Sequence, residues 1–75
     1  MEHNRVKVKI YGQEYVIAGE MSREDIIKVA AYVDNKMMEI TDAAKAAGAV
    51  PSNIAVLSAV NITSEHFKML EEMDS

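Results

Sequence analysis

The chain contains no cysteine and no tryptophan, one proline and three glycines in 75 residues. Without cysteine it can form neither disulfides nor thiolate zinc sites. The two histidines, His3 and His66, lie too far apart for the usual spacing of metal ligands. Domains this small usually need disulfides, a metal or self-association to become stable. The sequence therefore predicts self-association, with no cofactor and no metal.

Long apolar segments are also missing. No run approaches the roughly 20 apolar residues of a membrane span, and the first residues lack the apolar region of a signal peptide. The net charge of −4 argues against nonspecific binding to nucleic acid. We therefore expect a single cytoplasmic, soluble domain over residues 1–75 that binds neither membrane nor nucleic acid.

The sequence offers no recognisable catalytic group. Ser64 and His66 stand two residues apart on a predicted helix and point in different directions, so they cannot form a nucleophile–base pair. Phosphate-binding loops and metal-site motifs are absent from the sequence. We predict that the protein is not an enzyme and has no catalytic, cofactor-binding or metal-binding residues.

A β-hairpin is predicted over residues 6–18, after a flexible tail over 1–5. Apolar residues alternate with basic ones from Arg5 to Ile10, which is typical of a half-buried strand. A second strand follows, and Gly12-Gln13 suits a two-residue loop with glycine first. That loop pairs Tyr11 with Glu14, Ile10 with Tyr15, Val8 with Ile17, and Arg5 with Glu20. One face then collects Val6, Val8, Ile10, Tyr15 and Ile17, and the other collects Lys7, Lys9, Val16 and Ala18.

A first helix is predicted over residues 23–47. Ser22 is its candidate N-cap, with Asp25 three residues later, and Gly48 is the candidate C′ residue. Apolar residues spaced alternately four and three apart indicate an amphipathic helix. They are Ile26, Ala30, Val33, Met37, Ile40, Ala44 and Ala47.

A second helix is predicted over residues 52–74, with Ser52 as its best N-cap. Between Ile54 and Ile62 only Ser58 and Asn61 are polar. A helix that is apolar nearly all round is usually buried all round. We therefore expect the first half to be enclosed and the second half to keep one apolar stripe facing a partner.

Several polar residues allow two interpretations. Asn61 either bonds to nearby backbone or fixes helix pairing. His66 is an interface residue or a pH switch. The basic residues Arg5, Lys7 and Lys9 either blunt an edge strand or bind DNA. The second interpretation of this basic strand corresponds to a small dimeric DNA-binding regulator, an alternative function.

Three segments together resemble the ZapA family, bacterial cell-division proteins that bind the tubulin-like protein FtsZ. They are the strand segment VKVKIYGQEYVI, the helix segment IIKVAAYVDNKMMEI and the segment SAVNI at 58–62. The last segment usually reads Ala-Ala-Leu-Asn-Ile in the family, so Ser58 and Val60 are mild departures. The resemblance covers residues 6–70 and depends on the order and spacing of the segments.

The resemblance implies an α+β fold with a ββαα head, whose second helix extends into a short coiled-coil arm. It also implies an obligate oligomer, a homodimer or homotetramer, that binds FtsZ and cross-links or bundles its filaments in the Z-ring at the division septum. Family members continue the helix beyond the place of Ser75, so the dimer is implied more strongly than the tetramer.

Two surfaces follow from this interpretation. The predicted dimer interface comprises Val56, Val60, Asn61, Ile62, Phe67 and Leu70. The candidate FtsZ contact lies where the two helices are joined, and comprises Asp42, Lys45, Ser52 and Asn53.

Overall fold

A computed structural model describes residues 3–49 and 52–74. Two strands are followed by two helices: β1 (Asn4–Ile10), β2 (Gln13–Gly19), α1 (Arg23–Ala46) and α2 (Ile54–Asp74). This order and the antiparallel pairing of the strands confirm the predicted ββαα fold. The chain divides into two compact units between Met38 and Glu39, within α1.

Element boundaries differ slightly from those predicted. β1 begins at Asn4, so residues 4 and 5 belong to the strand and not to a tail, while residues 1 and 2 lie outside the described part of the chain. α1 ends one residue earlier than predicted, and α2 begins two residues later.

The hairpin turn lies one residue earlier than the sequence suggested. Tyr11 and Gly12 occupy its two central positions, with φ of 52° and 81°. Positive φ at both positions is the mark of a type I′ turn, whose twist matches that of the flanking strands. The glycine therefore stands second in the loop, and Gln13 is already in β2.

The predicted register is consequently wrong by two residues. Val6 pairs with Ile17, Val8 with Tyr15, and Ile10 with Gln13. A shift of two preserves the alternation of side chains, whereas a shift of one would reverse the faces. The predicted faces therefore survive the error in pairing.

The core of the first unit lies between the hairpin and α1. Val6, Val8, Ile26 and Ala30 are buried, and Ile10 and Ile17 pack against them. Ile26 is completely inaccessible to solvent. Burying a side chain of this size contributes roughly 1.5–3 kcal/mol. Ile26 and Ala30, the first two residues of the apolar stripe predicted for α1, are thus both buried.

Both ends of α1 carry the predicted caps. The backbone N–H of Asp25 donates to Ser22 Oγ over 3.1 Å, and the N–H of Ile26 donates to the carbonyl of Ser22 over 3.0 Å. At the other end Gly48 has φ of 77°, and its N–H donates to the carbonyl of Lys45 over 3.0 Å. The N–H of Ala49 donates to the carbonyl of Ala44, which completes a Schellman motif.

The cap of α2 differs from the one predicted. The carbonyl of Asn53, not of Ser52, accepts the first helical hydrogen bond, from the N–H of Leu57 over 3.0 Å. The residue whose carbonyl begins this series is the N-cap. Asn53 has φ of 58°, a conformation that asparagine tolerates better than most residues. Both residues are good caps by type, so composition did not distinguish them.

Within residues 3–49 and 52–74, neither helix combines the length and the apolarity needed to span a membrane.

Candidate self-association surface

α2 presents a large apolar surface to solvent. Among its side chains that the structure describes, only Ile54 and Ser58 are buried. The chain itself therefore does not enclose the first half of α2, and the expectation of enclosure is wrong for a single copy. Periodicity indicates which side chains avoid water but not which molecule covers them. The exposed large apolar residues of α2 are Val56, Leu57, Val60, Phe67, Met69, Leu70 and Met73.

Four of these residues form a continuous stripe, here called the α2 seam: Val56, Val60, Phe67 and Leu70. At about 100° per residue, they fall within roughly 80° of one another around the helix axis. Val56, Val60 and Phe67 are each about 60% exposed. Isolated exposed apolar residues are common, but a contiguous stripe usually marks an interaction site.

The seam borders a shallow groove. Val60 and Phe67 line it together with small residues, and its volume is about 290 Å³. Small residues beside large apolar ones leave a space into which a side chain of a second helix can pack. The small residues are Ala59, Thr63 and Ser64.

The structure does not bring all six predicted interface residues together. Ile62 is half-buried and lies nearly opposite Val60 around the helix, on the side of the buried residues Ile54 and Ser58. The chain itself therefore covers part of Ile62, and its place in the dimer interface stays a prediction.

Asn61 lies between these two sides of α2. It is exposed and lines a second groove, of about 340 Å³, with Ile40 of α1 and Leu57. Its amide is therefore available at the margin of the seam, where a polar group can influence the pairing of helices.

Two polar residues are buried, and the sequence analysis did not single out Thr41. Thr41 is 8% exposed and Ser58 is 2% exposed. Within the described residues, the Ser58 Oγ has no hydrogen-bond partner. A signal was present for Thr41, since it follows Met37 by four residues and precedes Ala44 by three, which places it on their side of α1.

The four candidate FtsZ-contact residues are all exposed. Asp42 and Lys45 belong to the last turns of α1, and Ser52 and Asn53 directly precede α2. They border the connection between the helices, of which residues 50 and 51 lie outside the described part. These side chains are accessible, and the set contains one acidic, one basic and two neutral polar side chains.

The basic residues of β1 are exposed too. Arg5, Lys7 and Lys9 share one face of the hairpin, and Lys7 Nζ lies 3.9 Å from Glu14 Oε2. Ion pairs at exposed positions contribute little to stability. In the part of the chain that the structure describes, no group of three or more His, Cys, Asp or Glu side chains could hold a metal ion.

Comparison with known proteins identifies the family. The family described as "Cell division protein ZapA" matches residues 6–75. The chain belongs to the ZapA family. Membership gives it an accessory role in cell division and confirms that it is not an enzyme.

Individual ZapA proteins support the same assignment. The Cell division protein ZapA of Geobacillus thermodenitrificans is 49% identical over 70 residues, which cover 93% of this chain and 75% of that protein. The protein of the same name from Bacillus anthracis is 44% identical over 69 residues, which cover 92% of this chain and 75% of that protein.

A solved ZapA structure has the same fold. It is described as a ZapA mutant dimer from Geobacillus stearothermophilus and is 41% identical in sequence to this chain. The superposition has a TM-score of 0.73 and covers 99% of this chain and 84% of the other.

Proposed function

We propose that this protein forms a homodimer through the α2 seam and uses the dimer to cross-link FtsZ filaments at the division septum. The observation that carries the proposal is the seam itself. Its four apolar side chains lie at helical spacing, and the chain itself leaves them exposed to solvent. Membership in a family with a dimeric member supports a second copy as the molecule that covers them.

The seam favours pairing between helices. Residues 56, 60, 63, 67 and 70 follow the alternating spacing of four and three that is typical of coiled coils. Covering Phe67 and its neighbours with a second copy removes apolar surface from water, which contributes roughly 25 cal/mol per Å². Extension of this pairing along α2 would provide the arm, and two dimers could associate there as a tetramer.

A symmetric dimer explains cross-linking. A two-fold axis repeats every surface of the chain, so each FtsZ-binding surface occurs twice. Two weak sites on one rigid particle gain affinity for a polymer, because the second contact forms at a high effective concentration. We assign this contact to Asp42, Lys45, Ser52 and Asn53, which are exposed beside the connection between the helices.

Co-sedimentation with polymerised FtsZ tests the proposal, with light scattering on the free chain to measure its mass. We expect a dimer mass, pelleting with FtsZ and thicker bundles. Pelleting without bundling would contradict cross-linking but not binding. Absence of pelleting would reject FtsZ as the partner.

Two variants separate the surfaces. Phe67→Glu should abolish bundling because it dissociates the dimer, while single copies still bind FtsZ weakly. Lys45→Glu should reduce pelleting while the dimer mass is unchanged. Lys28→Glu, the same change of charge elsewhere on α1, is the matched control and should behave as the parent chain does.

A further inference from the structure

The outer edge of β1 offers unpaired backbone groups. Ile10 and Gln13 flank the type I′ turn and share its closing hydrogen bond. Since hydrogen-bonded and non-bonded pairs alternate along an antiparallel ladder, Val6 and Val8 direct their N–H and C=O groups toward β2. Arg5, Lys7 and Lys9 direct theirs away from it. Within the described residues the sheet contains only β1 and β2, so no strand pairs with this edge.

α1 forms a groove beside this edge. The groove has a volume of about 370 Å³, with Lys7 and Lys9 on the strand side and Ile27, Ala31 and Asp34 on the helix side. Ile27 is 49% exposed there. Asp34 closes one end, because it accepts a hydrogen bond from the backbone N–H of Tyr11. The open part of the edge therefore extends from Arg5 to Lys9, the length of a five-residue strand.

The side chains around the groove alternate in chemistry. Arg5, Lys7 and Lys9 lie on the face of the hairpin opposite the buried residues Val6 and Val8. On a strand added at this edge, every second residue would lie beside these three cations. The intervening residues would face Ile27 and Ala31. The neighbouring strand β2 places only one carboxylate on the basic face, that of Glu14.

We propose that the outer edge of β1 binds an extended acidic segment of a partner protein, which adds a third strand to the sheet. The matching segment alternates acidic and apolar residues over about five positions, so that backbone hydrogen bonds provide affinity and the side chains provide specificity. Charge argues against a second copy of β1 as the added strand, because antiparallel self-pairing would set Lys7 opposite Lys7, or Arg5 opposite Lys9, and like charges opposite one another are destabilising.

The probe is a fluorescein-labelled peptide GGEVEVEVGG, and its binding to the full chain is followed by fluorescence anisotropy. Lys7→Pro removes an outward N–H without removing a bond of the β1–β2 ladder, and proline is tolerated at such edge positions. Val16→Pro is the matched control, since Val16 pairs with Lys7 and faces outward from the other edge. Lys7→Gln removes the charge and keeps the N–H.

We expect Lys7→Pro to weaken binding about tenfold and Val16→Pro by less than about twofold. Lys7→Gln should weaken binding about two- to threefold and reduce its dependence on salt. The peptide GGKVKVKVGG should not bind. Equal losses in the two proline variants, or no binding of the acidic peptide, would overturn the proposal.

Three further measurements check that the peptide binds at this edge. Ile27→Glu changes an exposed residue of the groove and should abolish binding, whereas Val29→Glu, also exposed on α1, should not. If Lys7→Pro lowered the mass of the free chain in light scattering, the edge would be a contact between copies and the proposal would be wrong. Amide exchange at Arg5, Lys7 and Lys9, but not at Glu14, Val16 and Ala18, should slow when the peptide binds.

Discussion

The backbone N–H of Tyr11 donates a hydrogen bond to Asp34 Oδ1 over 2.7 Å, across 23 residues of sequence. Tyr11 has φ of 52°, which is uncommon for a bulky residue. The bond ties the hairpin turn to the middle of α1 and gives a partner to the backbone group of the residue in the unfavourable conformation. It therefore helps to determine where the hairpin turns.

Asp34→Ala should destabilise the first unit by about 1 kcal/mol, because the N–H of Tyr11 loses a charged acceptor at a partly exposed site. Asp34→Asn keeps an acceptor oxygen and should lose less stability than Asp34→Ala. Chemical denaturation followed by circular dichroism measures both. Equal stability of the alanine variant and the parent chain would show that the bond does not stabilise the turn.

Ser58→Ala should stabilise the protein by about 1 kcal/mol, because a buried hydroxyl without a partner costs roughly that amount. The melting temperature should rise by about 4–8 °C at this chain length. Ser52→Ala is the control: Ser52 is exposed and does not accept the first bond of α2, so its melting temperature should be unchanged. A loss of stability in Ser58→Ala would mean that the hydroxyl finds a partner when two copies associate.

Phe67→Glu should convert the dimer to a monomer at micromolar concentration, since it would bury an unpaired charge at the seam. Light scattering and analytical ultracentrifugation measure the mass. Lys68→Glu gives the same new side chain at the adjacent exposed position and should remain dimeric. A dimeric Phe67→Glu variant would contradict the assignment of the seam.

Ile62→Glu should behave differently from Phe67→Glu. Ile62 is half-buried on the side of Ile54 and Ser58, so a carboxylate there should lower the helical content of the chain as well as its mass. Circular dichroism at several protein concentrations separates the two effects. Full helicity in a monomeric Ile62→Glu variant would place Ile62 in the interface.

Gly48→Ala should destabilise the protein by about 1 kcal/mol. Gly48 has φ of 77°, and a Cβ there would meet no atom within 4 Å, so the cost is the backbone conformation alone. Gly48→Asn should lose less stability than Gly48→Ala, because asparagine tolerates this conformation. Thermal unfolding measures both, and an unchanged Gly48→Ala variant would show that the Schellman motif is not maintained in solution.

Much of the candidate site was predictable because it depends on helical spacing. Val56, Val60, Phe67 and Leu70 recur at intervals of four, seven and three, which places them on one side of any regular helix. The same spacing could not assign Ile62. It stands on another apolar side of α2, and only packing within the second unit distinguishes a side that the chain covers from one that it leaves exposed.

The sequence by itself determined the features whose causes are local. Alternation assigned the two faces of the hairpin, and Ser22 and Gly48 set the ends of α1, because a cap acts within four or five residues. The tertiary structure alone decided the register of the hairpin and which side chains of α2 are buried. At the turn, the N–H of Tyr11, which has positive φ, bonds to an acceptor 23 residues away, and no pattern near the turn indicates this partner. The burial of Ser58 and the exposure of the seam likewise arise from packing between segments that are distant in sequence, which no local pattern records.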